Sequence, residues 1–296
     1  MTERRIALLS RAGLFLTAII WGSAFFVVKN SVDAVPPVRL MALRNTFGSL
    51  FLFALFFPRI RRMHKEQVLR CLPIGLALFL ATNIQTVGIT DTTPGKNAFL
   101  TAIYCVIVPF LYWIVRRRRP PLRSFVAAFL CLGGIGLVCL SETLSIGFGD
   151  AMTLLCGFFF AVHIITVDYF GASVEPVCVA VLQTAFSGVF CWIASLLADG
   201  VYVPVSSAVW PGILYLAIAS TGIAYCLQVV CQKHTPPAAA SLIMSLESVF
   251  GVLFSCIFYG EKLTSRLVFG FAVIFMAVLL SEIDPAHLRA GKREGI

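Results

Sequence analysis

Glu247 is chemically the most unusual residue of this chain, because it interrupts the otherwise apolar or hydroxyl-bearing stretch SLIMSLESVFGVLF, residues 241–254. It lies about ten residues, or ~15 Å, into a predicted helix. A charged group at that depth in a membrane costs roughly 2.5–3.5 kcal/mol. Water, a polar partner or protonation must offset that cost. Two roles fit: contact with a substrate ammonium group or with a coupling proton, and a structural carboxyl group hydrogen-bonded between helices.

Two further ionisable side chains, His163 and Arg44, also fall within apolar segments. Imidazole titrates near neutral pH, so His163 fits a proton-linked role as well as a neutral ring that donates to a neighbouring helix. The long side chain of Arg44 can extend towards the membrane surface or bind a carboxylate. It therefore fits either a substrate contact or a structural clamp.

Aromatic and amide side chains complete the predicted translocation site. Trp and Tyr usually lie at membrane interfaces, so Trp21 and Tyr104 at mid-span fit either a pocket lining or the packed core. Amides inside spans fit substrate contact or hydrogen bonds within the bundle; these are Asn83, Gln85 and Gln228. Lys96 is expected to extend to the outer surface. We expect no catalytic residue, metal or cofactor, because the chain has no P-loop, CxxC pair or metal-like spacing.

Membrane-spanning helices must position these side chains, because 59% of the 296 residues are hydrophobic and only 12% are charged. Soluble domains have about 25% charged residues. Apolar segments of roughly 18 residues or more recur along the chain. The ten predicted spans are 12–29, 36–57, 70–90, 94–115, 122–141, 150–170, 176–198, 210–231, 237–258 and 265–282.

The distribution of basic residues predicts the orientation. Most of the 23 Lys and Arg, including the run RRRRPPLR that follows the fourth span, share one side of the membrane. Basic residues are retained in cytoplasmic loops, so we expect both termini of this multi-pass protein in the cytoplasm. The net charge of +9 is spread over short loops, and nucleic-acid binding is therefore not expected.

The two halves of the sequence repeat each other. One constant offset places Pro37 on Pro176, and a slightly larger one holds from the third span onward. The matched positions include Arg44 with Gln183, Gln85 with Gln228, Pro94 with Pro237 and Tyr104 with Glu247. Each half, 1–141 and 142–296, is a predicted five-helix repeat. Because five is odd, the second repeat must enter the membrane from the opposite side, as in many secondary transporters, whose sites lie between the repeats.

Five segments in this order also resemble the ten-helix EamA branch of the drug/metabolite transporter superfamily. They are WGSAFF, PVRLMALRNTFGSL, TTPGKNAFLTAIYCVIVPFL, GDAMTLLCGFFFAV and SLESVFGVLFSCIFYGEKLT. The resemblance covers about residues 10–282. It implies a bacterial inner-membrane carrier, commonly an exporter of amino acids, related metabolites or toxic compounds, with alternating access. It also implies a cavity lined mainly by the first, third, fourth, sixth, eighth and ninth helices.

The sequence departs from the family at Ser248, where relatives frequently have proline, so a helix break after Glu247 is left open.

These observations together predict an exporter of small metabolites, amino acids among them, with a small-molecule substrate and membrane lipid as partners and the chain acting as a monomer. A lipid-handling carrier or a channel is the alternative. GFGD at 147–150 spells the GxGD form of intramembrane aspartyl proteases. Such an enzyme needs a second aspartate at matching depth, and the other aspartates lie at span ends. We therefore do not expect an enzyme.

Overall fold

A computed structural model describes residues 3–117, 119–139, 146–201 and 204–282 of the chain. It contains ten main helices, of which α4, α8 and α9 are each built from consecutive segments. They are α1 Glu3–Val32, α2 Pro37–Ile60, α3 Lys65–Thr90, α4 Pro94–Thr101 with Tyr104–Arg116, α5 Leu122–Cys139, α6 Phe148–Phe170, α7 Pro176–Ala198, α8 Trp210–Tyr215 with Leu216–Ile223 and Ala224–Gln232, α9 Pro237–Ser245 with Glu247–Phe254 and Ser255–Tyr259, and α10 Ser265–Glu282.

Within the described residues, eight of these helices are long and apolar enough to cross a membrane. The other two, α5 and α10, have shorter apolar stretches at Leu122–Val138 and Ser265–Leu280. The protein is thus an all-α, multi-pass membrane protein, as the composition predicted.

Proline sets the start of corresponding helices in the two halves. Pro37 and Pro176 occupy the first turns of α2 and α7, and Pro94 and Pro237 those of α4 and α9. Proline suits a first turn because its fixed backbone angle is helical and its missing N–H would have no helical acceptor there. The offsets read from the sequence therefore pair residues that have equivalent positions in the two halves of the fold.

The packing of the helices shows the same duplication. Three contacts join a helix to its own counterpart: α2 with α7, α4 with α9, and α5 with α10. The contact of α3 with α6 has its counterpart in that of α8 with α1. A pseudo-two-fold axis generates such a pattern. With five helices in each repeat the axis must lie in the membrane plane, which confirms the predicted inverted-topology repeats. The predicted division between residues 141 and 142 falls outside the described residues.

The contact between α5 and α10 allows a direct test of this packing. A Cβ atom on Gly134 would lie 2.6 Å from Cγ1 of Ile274 and 3.1 Å from the carbonyl oxygen of Gly270, whereas a Cβ on Gly133 would meet nothing within 4 Å. Overpacking costs about 1–3 kcal/mol. We therefore expect Gly134→Ala to be less stable than Gly133→Ala by that amount in thermal unfolding in detergent.

Gly133→Ala is the matched control, because both variants gain the same helix propensity of about 1 kcal/mol. Equal stability of the two variants would contradict the close approach of α5 and α10.

Candidate functional site

A cleft near the middle of the bundle, called the central cleft here, contains six of the eight predicted site residues. Its lining comes from α1, α2, α3, α4, α6, α8 and α9, which includes every helix that the family resemblance implied. The lining residues are Trp21, Ala24, Phe25, Val28, Arg44, Thr82, Gln85, Thr86, Ile89, Asn97, Tyr104, Phe160, Ile164, Ser220, Tyr225, Gln228, Met244 and Glu247.

The central cleft is narrow. The centres of water molecules could occupy about 40 Å³ of it, which is room for roughly three molecules. A solute the size of a metabolite therefore requires the surrounding helices to move apart.

The two repeats contribute matching positions to this lining. The sequence offsets pair ten of the lining residues as Trp21 with Phe160, Phe25 with Ile164, Thr82 with Tyr225, Gln85 with Gln228, and Tyr104 with Glu247. Equivalent residues can face one cleft only if the cleft lies across the axis that relates them. The central cleft therefore lies on the pseudo-two-fold axis between the repeats.

Arg44 is held in the central cleft by hydroxyl groups. Its Nε donates to Oγ1 of Thr221 at 2.8 Å and its Nη2 to Oγ of Ser220 at 3.0 Å. Both acceptors belong to Leu216–Ile223, a π-helical segment of α8, and such segments are frequent at functional sites. Among the described residues, the hydrogen-bond acceptor found for Nη1 is the sulphur of Met41 at 3.9 Å. Over the described ranges Arg44 forms no ion pair, and its side chain points neither to a carboxylate nor to the membrane surface.

Glu247 follows a tight turn inside α9. The N–H of Leu246 bonds to the carbonyl of Ile243 at 3.3 Å, and Oγ of Ser248 donates to the carbonyl of Ser245 at 2.7 Å. The helix is therefore broken next to Glu247, although residue 248 is serine and not proline. Glu247 is only 4% exposed, and in the part of the chain that the structure describes it has no ion pair.

The equivalent turn in α4, at Ala102–Ile103, precedes Tyr104. The Tyr104 hydroxyl lies beside the Glu247 carboxyl group. It does so without the geometry of a regular hydrogen bond, and no other described atom accepts from it. The pseudo-symmetric turns thus bring a matched pair of polar side chains together at the centre of the bundle.

Trp21 and Tyr225 form an aromatic pair in the lining of the central cleft. Nε1 of Trp21 donates to the carbonyl of Ser220 at 3.0 Å, and the rings of Trp21 and Tyr225 are 5.0 Å apart. Trp21 therefore connects α1 to the same π-helical segment that holds Arg44.

Two of the three amides predicted for the site, Gln85 and Gln228, line the central cleft. Nε2 of Gln85 donates to Oγ1 of Thr101 at 3.1 Å. Oε1 of Gln228 is buried and has no hydrogen-bond partner among the residues described. A buried acceptor without a partner is costly, so Gln228 offers a position at which a bound solute could donate.

Asn83 and His163 lie outside the lining. Nδ2 of Asn83 points to Sγ of Cys191 in α7 at 3.1 Å. Nε2 of His163 is 2.9 Å from Oε1 of Gln183, also in α7. The His163 ring meets the ring of Tyr225 edge-on at 6.1 Å, so His163 contacts a residue that lines the cleft without lining it itself.

Sequence reasoning missed several lining residues, among them Phe160, Thr82 and Tyr225. The repeat itself was the signal that could have found two of them. Phe160 is the counterpart of Trp21 in the other repeat. Thr82 lies one helical turn from Gln85, and Tyr225 is the counterpart of Thr82. Ser220 and Thr221 gave no such signal, because only the π-helical segment turns both hydroxyls towards Arg44.

A second polar cluster, called the distal seal here, joins the starts of α4 and α6 at one end of the bundle: Thr92, Lys96 and Asp150. Lys96 Nζ lies 2.6 Å from Oδ2 of Asp150, and Thr92 Oγ1 donates to Oδ1 at 2.7 Å. Lys96 thus pairs with a carboxylate and does not extend to the surface as expected. Asp150, the aspartate of the GFGD stretch, forms its ion pair with Lys96.

Glu261 reinforces the same end. Its carboxylate accepts from Thr93 Oγ1 at 2.5 Å, from the Gly95 N–H at 2.9 Å and from Ser255 Oγ at 2.5 Å. It therefore ties the end of α9 to the first turn of α4.

Comparison with known proteins supports the architecture. The sequence model of the EamA-like transporter family matches the chain twice, at residues 10–140 and 147–283. An uncharacterised transporter of Archaeoglobus fulgidus is 30% identical over 90% of this chain and 84% of its own length. The threonine/homoserine exporter RhtA of Escherichia coli K12 is 28% identical over 91% of this chain and 90% of its own length.

Two further similarities agree. The uncharacterised inner membrane transporter YedA of Escherichia coli K12 is 25% identical over 90% of this chain and 88% of its own length. A protein crystal structure with 17% identity superimposes with a TM-score of 0.68, covering 90% of this chain and 95% of that one.

Proposed function

Because the chain belongs to the EamA-like transporter family, and is therefore a membrane transporter and not an enzyme, we propose that it exports small polar metabolites, amino acids among them, by alternating access. In this proposal the two inverted repeats rock against each other and expose the central cleft to each side of the membrane in turn.

The observation that carries this proposal is the position and content of the central cleft. It lies on the axis between the repeats, where transporters with inverted repeats bind their substrates, and it holds the buried side chains of Arg44 and Glu247. Charged groups at membrane depth are costly and usually functional. A lining of this polarity favours a small polar solute over the acyl chains of a lipid.

The proposal that amino acids are carried outward draws on the similarity to RhtA, which is named a threonine/homoserine exporter. The test uses purified protein in sealed liposomes loaded with labelled threonine or homoserine. We expect saturable exchange well above that of protein-free liposomes, with no release of trapped sucrose. Absence of exchange for these and other small metabolites would overturn the proposed function.

We further propose the inner membrane of a bacterium as the location, with both termini cytoplasmic. The basic loop after α4 supports this orientation, because its counterpart after α9, which contains Glu261 and Lys262, has no basic run. Reporter enzymes inserted into these two loops should respond from opposite compartments; the same compartment for both would refute the orientation.

A further inference from the structure

We propose that the central cleft binds α-amino acids as zwitterions, with Arg44 as the contact for the carboxylate and Glu247 as the contact for the ammonium group. The inference rests on the proposed function, which names amino acids only as one class of small metabolite. It adds that a free carboxylate and a free ammonium group are both required.

The first support is the charge balance of the site. Arg44 and Glu247 line one cleft and are 6% and 4% exposed. Within the described ranges neither of them forms an ion pair, although the structure forms ion pairs elsewhere, as at Lys96 and Asp150. A buried charge normally requires a partner of the opposite sign. A zwitterion supplies one partner to each and leaves the occupied cleft neutral.

The second support is the way in which Arg44 is oriented. Ser220 and Thr221 hold its Nε and Nη2, which fixes the plane of the guanidinium group. In the part of the chain that the structure describes, the acceptor found for Nη1 is the weak one of the Met41 sulphur, at 3.9 Å. The Nη1 and Nη2 groups together retain N–H donors in the fork arrangement that matches a carboxylate. The hydroxyl groups therefore orient the guanidinium without using up its binding edge.

The third support is the set of acceptors for an ammonium group, which needs up to three of them. Glu247 provides carboxylate oxygens, and Gln228 provides a buried amide oxygen that no described donor reaches. Tyr225, Arg44 and Glu247 line the same cleft, so the two charged groups face one compartment. The cleft thus offers a cationic contact for a carboxylate and acceptors for an ammonium group in the same lining.

The test measures binding of three ligands to purified full-length protein by calorimetry. Threonine carries both charges, threonine methyl ester lacks the carboxylate, and N-acetylthreonine lacks the ammonium group. We expect threonine to bind at least about tenfold more tightly than either analogue, as loss of a charge-assisted hydrogen bond predicts. Arg44→Gln should weaken threonine at least about tenfold and leave the ester within about twofold. Glu247→Gln should lower the affinity for threonine by the same factor and leave the affinity for N-acetylthreonine within about twofold.

Matched controls come from the exposed pair of Arg59 and Glu175, whose atoms are 2.7 Å apart. Arg59→Gln and Glu175→Gln make the same chemical changes outside the cleft and should leave all three affinities unchanged. Arg44→Gln installs the residue that the second repeat carries at Gln183. Thermal unfolding verifies that each variant is folded, and Arg44→Lys, which keeps the charge, replaces Arg44→Gln if that variant is not.

Three results would overturn the proposal. The first is equal affinity for all three ligands. The second is that each variant loses affinity for all three ligands to the same extent. The third is that threonine does not bind while the liposomes exchange another metabolite. In each of these cases a transporter remains. Absence of both binding and exchange for every metabolite tested would instead refute the proposed function itself.

Discussion

Replacing Glu247 by glutamine should reduce threonine exchange in liposomes about 10- to 100-fold, because a hydrogen bond to a charged group contributes about 1.5–3 kcal/mol. The substitution keeps the shape of the side chain and removes its charge. It also removes the burial cost of a carboxylate, roughly 2.5–3.5 kcal/mol at the membrane centre. We therefore expect the variant to unfold at an equal or higher temperature than the unmodified protein.

This combination separates the two roles that the sequence left open for Glu247. A structural carboxyl group would lower stability when neutralised, and exchange would fall only with the folded fraction. A substrate contact predicts lost exchange in a stable protein. Glu175→Gln, on an exposed glutamate paired with Arg59, is the control and should change neither quantity. Full exchange activity in Glu247→Gln would remove this residue from the transport mechanism.

Much of the fold could be predicted from the sequence, because the membrane limits the possible structures to few. In lipid all backbone polar groups must be bonded internally, so the length and spacing of apolar segments predict helices and their number. The repeat offsets added the pairing of helices, and the odd number per repeat added the inversion. Pro37 and Pro94 then begin α2 and α4 as their counterparts Pro176 and Pro237 begin α7 and α9.

The rotation of each helix about its axis was harder to predict. In a soluble helix a polar face indicates the side towards water, whereas here lipid and the protein core are both apolar. Asn83 and Gln85 are two residues apart in α3 and so point to nearly opposite sides of the helix, and of the two Gln85 faces the central cleft. The same ambiguity placed His163 among the candidates, although its ring bonds to Gln183 in α7.

Local irregularities of the helices were also invisible in the sequence. The π-helical segment Leu216–Ile223 brings Ser220 and Thr221 to Arg44, and no residue in it is a known marker of such a turn. The tight turn before Glu247 forms without proline. Its counterpart before Tyr104 suggests that packing around the axis, and not a single residue, imposes both turns.

Replacing Asp150 by asparagine should open the distal seal. Removing one partner of a buried ion pair costs about 3–5 kcal/mol, and the Asp150 side chain is only 4% exposed while its partner Lys96 is 21% exposed. Closed states should therefore become rarer by a factor of at least about ten, since 1.4 kcal/mol corresponds to tenfold. Cys156, buried on α6 beneath the seal, should react at least about tenfold faster with a membrane-impermeant maleimide.

Asp168→Asn is the matched control, because it makes the same change at the other end of α6. Asp168 lies 3.6 Å from Arg116, and the two side chains are 28% and 44% exposed, so the pair contributes at most about 1 kcal/mol. Mass spectrometry of intact cells treated from outside would identify the modified cysteine. Since Cys156 lies 3.5 Å from Thr101 of α4, its protection depends on the contact between α4 and α6. If it reacts equally in both variants, the ion pair of Lys96 and Asp150 does not close the cleft at this end.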